Sequence, residues 1–219
     1  MTELFRWQWV FDHLEEIRAQ GLEHLQLTLL AVVIGLAISF PLGVYAHRHR
    51  AFYAPVTVVT GVLYTIPSLA LFALLTPFFG LSFVTAEIGL VSYTLLILIR
   101  NVVAGLDGVP AEVKEAARAM GHSDRQVLWR VELPLAVPVI VAGIRIATVT
   151  TIGLVTVTAL IGQGGFGYFI LLGLRRFFST PTILGAVLSV LLAVIVDRLL
   201  LLVQSSLVPW ERRREPSAA

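Results

Sequence analysis

Few side chains in this sequence of 219 residues have types and spacing suited to catalysis. The absence of cysteine excludes a thiolate nucleophile, a disulfide framework and a cysteine-ligated metal site. The five histidines are scattered, with no H-E-x-x-H or comparable cluster. A P-loop needs G-x-x-x-x-G-K-[ST], but glutamate follows the single lysine, Lys114. We therefore expect no catalytic residue, no metal site and no cofactor here, which argues against a membrane enzyme.

The most informative polar stretch is residues 109–134, VPAEVKEAARAMGHSDRQVLWRVELP. Its first half predicts a helix that ends at Gly121, because glycine readily adopts the left-handed turn after a helix. Ser123 and Gln126 have the spacing of a capping box, which predicts a second short helix. Pro134 is expected to end that second helix. The stretch therefore predicts a helix–turn–helix unit.

The same stretch resembles the cytoplasmic signature of ABC importer permeases: E-A-A, three residues, glycine, nine residues, then I-x-L-P. The residues that carry the resemblance are Glu115, Ala116, Ala117, Gly121, Leu133 and Pro134. Val131 stands where the family pattern has isoleucine. The resemblance implies a coupling helix that docks on a separate ATPase subunit, and that subunit would bind the ATP and Mg²⁺.

The composition points to a membrane protein that can hold such a segment. Hydrophobic residues make up 57% of the chain and charged residues only 14%, against about 25% charged in soluble domains. Five apolar runs are long enough to cross a bilayer as helices: 25–45, 55–79, 83–99, 135–161 and 182–203. We expect an all-α membrane protein with five transmembrane helices, and the resemblance implies the type I ABC importer permease fold.

Basic residues predict the orientation of these spans, because cytoplasmic loops carry the excess of lysine and arginine. The side that follows spans one, three and five holds ten of them: Arg48, Arg50, Arg100, Lys114, Arg118, Arg125, Arg130, Arg212, Arg213 and Arg214. The other side holds four, namely Arg6, Arg18, Arg175 and Arg176. The N-terminus is thus predicted outside, and the C-terminus and the loop at 101–133 in the cytoplasm. Basic residues scattered between apolar runs do not suggest nucleic-acid binding.

Three regions follow from this pattern. Residues 1–21 carry apolar side chains at helical spacing, which predicts an amphipathic helix in the lipid headgroup region; a frayed soluble leader is the alternative. The apolar positions are Leu4, Trp7, Phe11, Leu14 and Ile17. Residues 22–205 form the predicted permease domain, and residues 206–219 a cytoplasmic tail. We expect a multi-pass protein of a bacterial or archaeal cytoplasmic membrane, in contact with its lipid.

Three residues within the predicted spans are candidates for a pathway or for contacts between helices. Arg145 lies about ten residues into span four, where a charge is costly and usually faces the bundle interior. It either serves the pathway or pairs with a second subunit, or it forms a structural pair with a backbone carbonyl or a partner such as Asp197 or Glu87. Pro67 is expected to kink span two, and the neighbouring Tyr64 either lines a route or packs.

The glycine-rich stretch at 162–167 predicts irregular backbone, which membranes tolerate only where it is buried or lines a cavity. Its residues are Gly162, Gln163, Gly164, Gly165, Phe166 and Gly167. They are candidates for an outer gate or a contact with a binding protein, against a plain turn. Arg175 and Arg176 follow, and would meet acidic patches of a binding protein or lipid phosphates.

Beyond the signature, the chain is similar to the osmoprotectant, or quaternary-amine, branch of these permeases over roughly residues 25–205. The carrying segments are 66–70, 100–101, 131–136, 138–140, 142–145, 159–162 and 164–167. Gln163 and Phe166 depart from the pattern, since smaller residues are usual there. The resemblance implies import of glycine betaine, carnitine, choline or a similar compound.

The same resemblance implies the partners of an importer. These are two ATPase subunits, a second permease copy or a sister permease, and an extracytoplasmic solute-binding protein. Two alternatives remain at this point: an ABC importer permease for another small solute such as an amino acid, and an ion-coupled secondary transporter. The second alternative is disfavoured because no internal repeat is evident and Arg145 is the one deep charge.

Overall fold

The computed structural model describes residues 5–207, and all regular structure within that range is helical. Leu4 of the predicted stripe and most of the predicted tail, including Arg212, Arg213 and Arg214, lie outside the described residues. The α-helices are α1 (Trp7–Asp12), α2 (Leu14–Arg48), α3 (Arg50–Thr65), α4 (Ser68–Phe79), α5 (Phe83–Asp107), α6 (Ala111–Ala119), α7 (Asp124–Val127), α8 (Leu133–Thr158), α9 (Gly167–Arg176) and α10 (Ser179–Leu207).

Four helical stretches in residues 5–207 are long and apolar enough to cross a membrane: Leu14–Arg48, Phe83–Asp107, Asp124–Ile161 and Ser179–Ser206. They contain the first, third, fourth and fifth predicted spans. Helices are the expected solution, because each satisfies its own backbone hydrogen bonds in lipid. The prediction of an all-helical membrane protein is confirmed, and α3 with α4 would make a fifth span if the pair crosses together.

The predicted second span has a different form from the kinked helix expected from Pro67. α3 and α4 meet at 95°, so the segment is broken rather than merely bent. Ile66 is extended, the conformation favoured before proline, and Pro67 caps α4. The Tyr93 hydroxyl of α5 donates a hydrogen bond to the Ile66 carbonyl, which satisfies a group that the break leaves without a helical partner.

The prediction that Pro134 ends the helix after Ser123 is wrong. α7 continues through a π-helical turn, Leu128–Glu132, directly into α8. Pro134 lies directly after the π turn, where the register of the backbone hydrogen bonds changes, so it does not end the helix. The chain from Asp124 to Ile161 is therefore one helical unit, and α7 is a rigid extension of the fourth span rather than a separate helix.

α2, α5 and α8 pack at the centre of the bundle, and small residues let them approach closely. A Cβ on Gly35 of α2 would lie 1.9 Å from Oγ1 of Thr94 on α5. A Cβ on Gly143 of α8 would lie 2.3 Å from the Cβ of Asn101 on α5. In contrast, α10 is largely exposed: only 6% of its most apolar stretch of 18 residues is buried.

The N-terminal region forms two helices. α1 ends before His13, and α2 begins at Leu14, so the predicted boundary after residue 21 falls within α2. The backbone N–H of Arg6 donates to the Thr180 hydroxyl at 2.9 Å. Trp9 packs edge-on against aromatic rings near α9, so this region is tied to the start of α10. Its location in the headgroup region stays a prediction.

Candidate functional site

α6 and α7 protrude from one end of the bundle, and their local structure follows the sequence closely. α6 runs Ala111–Ala119, with Pro110 as its N-cap and Glu112 in its first turn. Gly121 has φ +87°, the left-handed conformation expected of it. The capping box between Ser123 and Gln126 is present in both directions, so the predicted helix, turn and second helix start are confirmed.

The signature residues of α6 face in two directions. Ala117 is buried against the bundle, whereas Glu115 and Ala116 are exposed. Sequence reasoning missed two apolar neighbours: Val113 is 40% exposed and Met120 is 73% exposed. Their spacing with Ala116 is three and four residues, so the three side chains form one stripe, which we call the α6 stripe. The signal in the sequence was the pair Val113 and Met120, the two large apolar residues in a segment that otherwise consists of alanine and charged residues.

The other end of the signature anchors the segment in the membrane domain. Leu133 is buried in a cluster with Leu106 of α5 and Leu128 of the π turn. Pro134, the next residue, is exposed in the first turn of α8. The six signature residues therefore do not form one surface: two of them, Glu115 and Ala116, lie on the exposed face of α6, and Leu133 fixes the segment to the core.

Arg145 lies on α8 and pairs with Asp197 of α10. Its Nε and Nη2 donate to the two carboxylate oxygens at 3.0 and 3.1 Å, and Nη1 donates to Gln204 at 3.2 Å. The pair borders an open cleft of about 540 Å³ between α8 and α10. The guanidinium is therefore neutralised by Asp197, one of the two carboxylates that the sequence suggested as partners, and not by the other, Glu87.

The stretch at 162–167 is irregular, as predicted, and lies at the opposite end of the bundle from α6. Gly162 and Gly165 have φ +78° and +84°, and α9 begins at Gly167. A Cβ on Gly167 would lie 2.0 Å from the backbone oxygen of Thr156 on α8. Side-chain volume at this position is therefore excluded by backbone atoms, and α9 can start here only with glycine.

Two residues of α2 that sequence reasoning missed hold this stretch in place. The N–H of Gly164 donates to the Glu23 carboxylate at 2.7 Å. The N–H of Phe166 donates to Nδ1 of His24 at 3.1 Å, while Nε2 of His24 lies 3.0 Å from the Ile152 carbonyl of α8. His24 is completely buried. These contacts span 128 to 142 positions, so no local pattern could have found them.

Arg175 and Arg176 form the exposed last turn of α9. Phe177 follows with φ +51° and is 99% exposed, so the end of α9 presents two guanidinium groups and one uncovered ring. At the start of α9, a hydrogen bond to the Glu16 carboxylate raises the pKa of the Tyr168 hydroxyl.

Tyr64 lies beside the break between α3 and α4, where its ring meets Tyr93 edge-on at 5.9 Å. Pro67 forms the break itself. No group of three or more His, Cys, Asp or Glu side chains among residues 5–207 is placed to hold a metal ion. The signature residues, Arg145, Tyr64 with Pro67, and the glycine-rich stretch thus occupy separate parts of the fold.

Comparison with known proteins identifies the family. The family model described as the binding-protein-dependent transport system inner membrane component matches residues 25–208 of this chain. This chain belongs to that family. The match includes α6, the stretch at 162–167 and all of α10. Membership confirms the prediction of an importer permease in a bacterial-type inner membrane.

Curated relatives agree with the predicted branch. The choline transport system permease protein OpuBB of Bacillus subtilis is 34% identical over 91% of this chain and 92% of its own. The osmoprotectant import permease protein OsmW of Salmonella typhimurium is 37% identical over 92% of this chain and 96% of its own. The glycine betaine/carnitine/choline transport system permease protein OpuCB of Bacillus subtilis is 36% identical over 85% of this chain and 86% of its own. The resemblance to the osmoprotectant branch is confirmed.

Solved structures agree on the fold. The inward-facing MetNI methionine ABC transporter matches with a TM-score of 0.76 and 23% identity, over 87% of this chain and 96% of that chain. An amino acid ABC transporter with histidines matches with a TM-score of 0.71 and 18% identity, over 94% of this chain and 100% of that chain. These likenesses confirm the type I importer permease fold.

Proposed function

We propose that this chain is the membrane subunit of an ATP-driven importer of quaternary amines such as choline, glycine betaine or carnitine. It works with two ATPase subunits, a solute-binding protein and a second permease chain, either a copy or a sister protein. The observation that carries the proposal is α6: it bears the importer signature, protrudes from the bundle and presents an uncovered apolar stripe. The names of the relatives support the cargo.

The α6 stripe supports docking of an ATPase. Val113, Ala116 and Met120 are exposed although they are apolar, and an exposed apolar patch on a polar segment is typical of an interaction surface. Ala116 at the centre of the stripe permits close approach of another protein. With α6 in the cytoplasm, as the distribution of basic residues predicts, the stripe faces the compartment that holds ATP.

The Arg145 pair is compatible with a cationic cargo. A lone guanidinium in the pathway would repel a quaternary ammonium, but Asp197 balances this one at hydrogen-bond distance. The cleft beside the pair opens on the exposed face of α10. A partly exposed ion pair deep in a span is costly in lipid, which supports a second permease chain or a water-filled pathway beside it.

The opposite end of the molecule supports contact with a binding protein. Arg175 and Arg176 provide positive charge on the side predicted to be extracytoplasmic, and Phe177 adds an uncovered ring. The stretch at 162–167 lies next to them and is held by Glu23 and His24. We infer that this stretch forms part of the outer gate, because it is the irregular backbone at that end of the fourth span.

Reconstitution of the purified importer in proteoliposomes tests the proposal. The permease, its ATPase and its binding protein should accumulate radiolabelled choline or glycine betaine in an ATP-dependent manner. Unlabelled betaines, choline or carnitine should compete, whereas methionine should not. Uptake driven by an ion gradient without the ATPase would refute the importer assignment, and competition by methionine alone would refute the cargo.

The docking surface has its own matched variants. Ala116→Arg places a charged side chain in the α6 stripe and should reduce co-purification of the ATPase subunit. Ala111→Arg adds the same side chain at another exposed position of α6, about 140° around the helix from Ala116, and should not. Equal co-purification of both variants with the parent would contradict docking through the stripe.

A further inference from the structure

A chain of ionic contacts joins α6 to the ends of α2, α3 and α5. Lys114 Nζ of α6 lies 3.8 Å from Oε1 of Glu132, and Oε2 of Glu132 lies 3.7 Å from Nε2 of His47. Nδ1 of His47 lies 2.6 Å from Oδ1 of Asp107. Asp107 in turn accepts two hydrogen bonds from Arg50, at 2.6 and 2.8 Å. We call these five residues the α6-to-bundle network.

The inner members of this network are shielded from solvent. The side chains of Glu132, His47 and Lys114 are 9%, 11% and 19% exposed. The His47 imidazole lies between two carboxylates, one at each ring nitrogen. Carboxylates removed from water need partners, and removal of one partner leaves the other uncompensated. A displacement of Lys114 therefore changes the environment of Glu132 and, through His47, of Asp107.

The backbone places Glu132 for this role. It is the last residue of the π turn, and π turns inside helices frequently occur at functional sites. Leu128, the first residue of the turn, and Leu133, the residue that follows it, are buried in the cluster with Leu106. The turn is thus fixed to α5 and α8, so the carboxylate of Glu132 is held at one position between α6 and α2.

The helix α6 has few other connections to the membrane domain. It packs mainly on α7 and the π turn, both of which belong to the segment that precedes α8. The network is its polar link to α2, α3 and α5. Coupling between distant sites is carried by such side-chain networks when they connect rigid elements.

We propose that the α6-to-bundle network transmits movement of α6 to α2, α3 and α5, with Glu132 and His47 as its central positioning residues. This inference rests on the proposed function, because it assigns the route by which an ATPase docked on α6 moves the spans. The network acts after docking. Loss of the network should therefore reduce transport per ATP hydrolysed without releasing the ATPase.

The experiment uses the complete importer in proteoliposomes and measures substrate uptake and ATP hydrolysis together. Glu132→Gln and Lys114→Gln should each lower uptake per ATP by about 3- to 10-fold, the scale of mutations that modulate coupling. The double variant should be no worse than Glu132→Gln alone, because that variant already removes the contact between Glu132 and Lys114. The charge exchange Lys114→Glu with Glu132→Lys should recover part of the loss.

Asp124→Asn is the matched control. Asp124 pairs with Arg118 of α6 at 3.2 Å on the same protruding segment, but its side chain is 78% exposed. Among residues 5–207, its carboxylate forms no ion pair with α2, α3 or α5. Uptake per ATP should equal that of the parent. An equal loss in Asp124→Asn and Glu132→Gln would overturn the proposal, since any ion pair of the segment would then suffice.

Further outcomes separate the network from the proposed function. If the parent complex neither binds the ATPase nor transports, the proposed function fails and not merely the network. If the parent transports and assembled Glu132→Gln keeps the same uptake per ATP, the network is refuted. If Glu132→Gln does not assemble, His47→Gln decides: it should assemble with lowered uptake per ATP, and an unchanged ratio refutes the proposal.

Discussion

Gly167→Ala is the sharpest test of how α9 meets α8. The added Cβ would lie 2.0, 2.6 and 2.7 Å from the backbone O, C and Cα of Thr156. Carbon atoms in contact are about 3.5 Å apart, so the shortfall from the carbonyl carbon is about 0.9 Å. Backbone atoms cannot rotate away, and the oxygen is closer still, so the start of α9 must move by at least this distance.

Overpacking of this kind costs about 1–3 kcal/mol, and we expect the upper end because the obstacle is backbone. The assay is the temperature at which the detergent-purified chain loses its monodisperse size-exclusion peak. Gly167→Ala should lose it at a clearly lower temperature than the parent. Gly153→Ala is the control: no atom lies within 4 Å of its Cβ position, and alanine in a helix is favoured over glycine by about 0.8–1.0 kcal/mol.

The control should therefore be at least as stable as the parent. If Gly167→Ala and Gly153→Ala lose the peak at the same temperature as the parent, α9 does not begin against the backbone of α8. The described path of the chain after the fourth span would then be wrong.

Three further predictions concern single contacts. His24→Phe leaves a buried backbone N–H unsatisfied, at a cost of about 1–3 kcal/mol, and should speed thiol labelling of a Gln163→Cys reporter; unchanged labelling would refute the anchoring role. Arg145→Gln leaves Asp197 without its partner and should reduce membrane abundance, whereas the double variant with Asp197→Asn should recover it; normal abundance with unchanged uptake in the single variant would refute both a structural and a pathway role. Gly121→Ala forces alanine into the left-handed conformation at a cost of about 1–2 kcal/mol and should weaken co-purification of the ATPase, so full co-purification would contradict the importance of this turn.

The parts of the fold that were predictable depend on local physics. The spans follow from apolar runs, because a chain in lipid must satisfy its backbone within the helix. The end of α6 follows from Gly121, and the start of α7 from the pairing of Ser123 with Gln126. Each of these features involves residues that are neighbours in sequence.

The features that were missed or mispredicted depend on distant partners. Pro67 indicated a kink, but a hydroxyl from α5 supports the carbonyl of Ile66, and the break reaches 95°. Pro134 indicated a helix end, but a π turn lies immediately before it and the helix continues. Nothing in the sequence distinguished Asp197 from Glu87 as the partner of Arg145, because the choice depends on how α10 lies along α8.

The sequence by itself determined the membrane class, the positions of the long helices and the signature segment, since composition and short-range spacing encode them. Only the tertiary structure decided what the signature segment is attached to. The network from Lys114 through Glu132 and His47 to Asp107 joins four separate elements. The hydrogen bond from the N–H of Phe166 to His24 joins residues more than 140 positions apart. Such contacts form because packed helices bring polar groups together away from water, where each needs a partner.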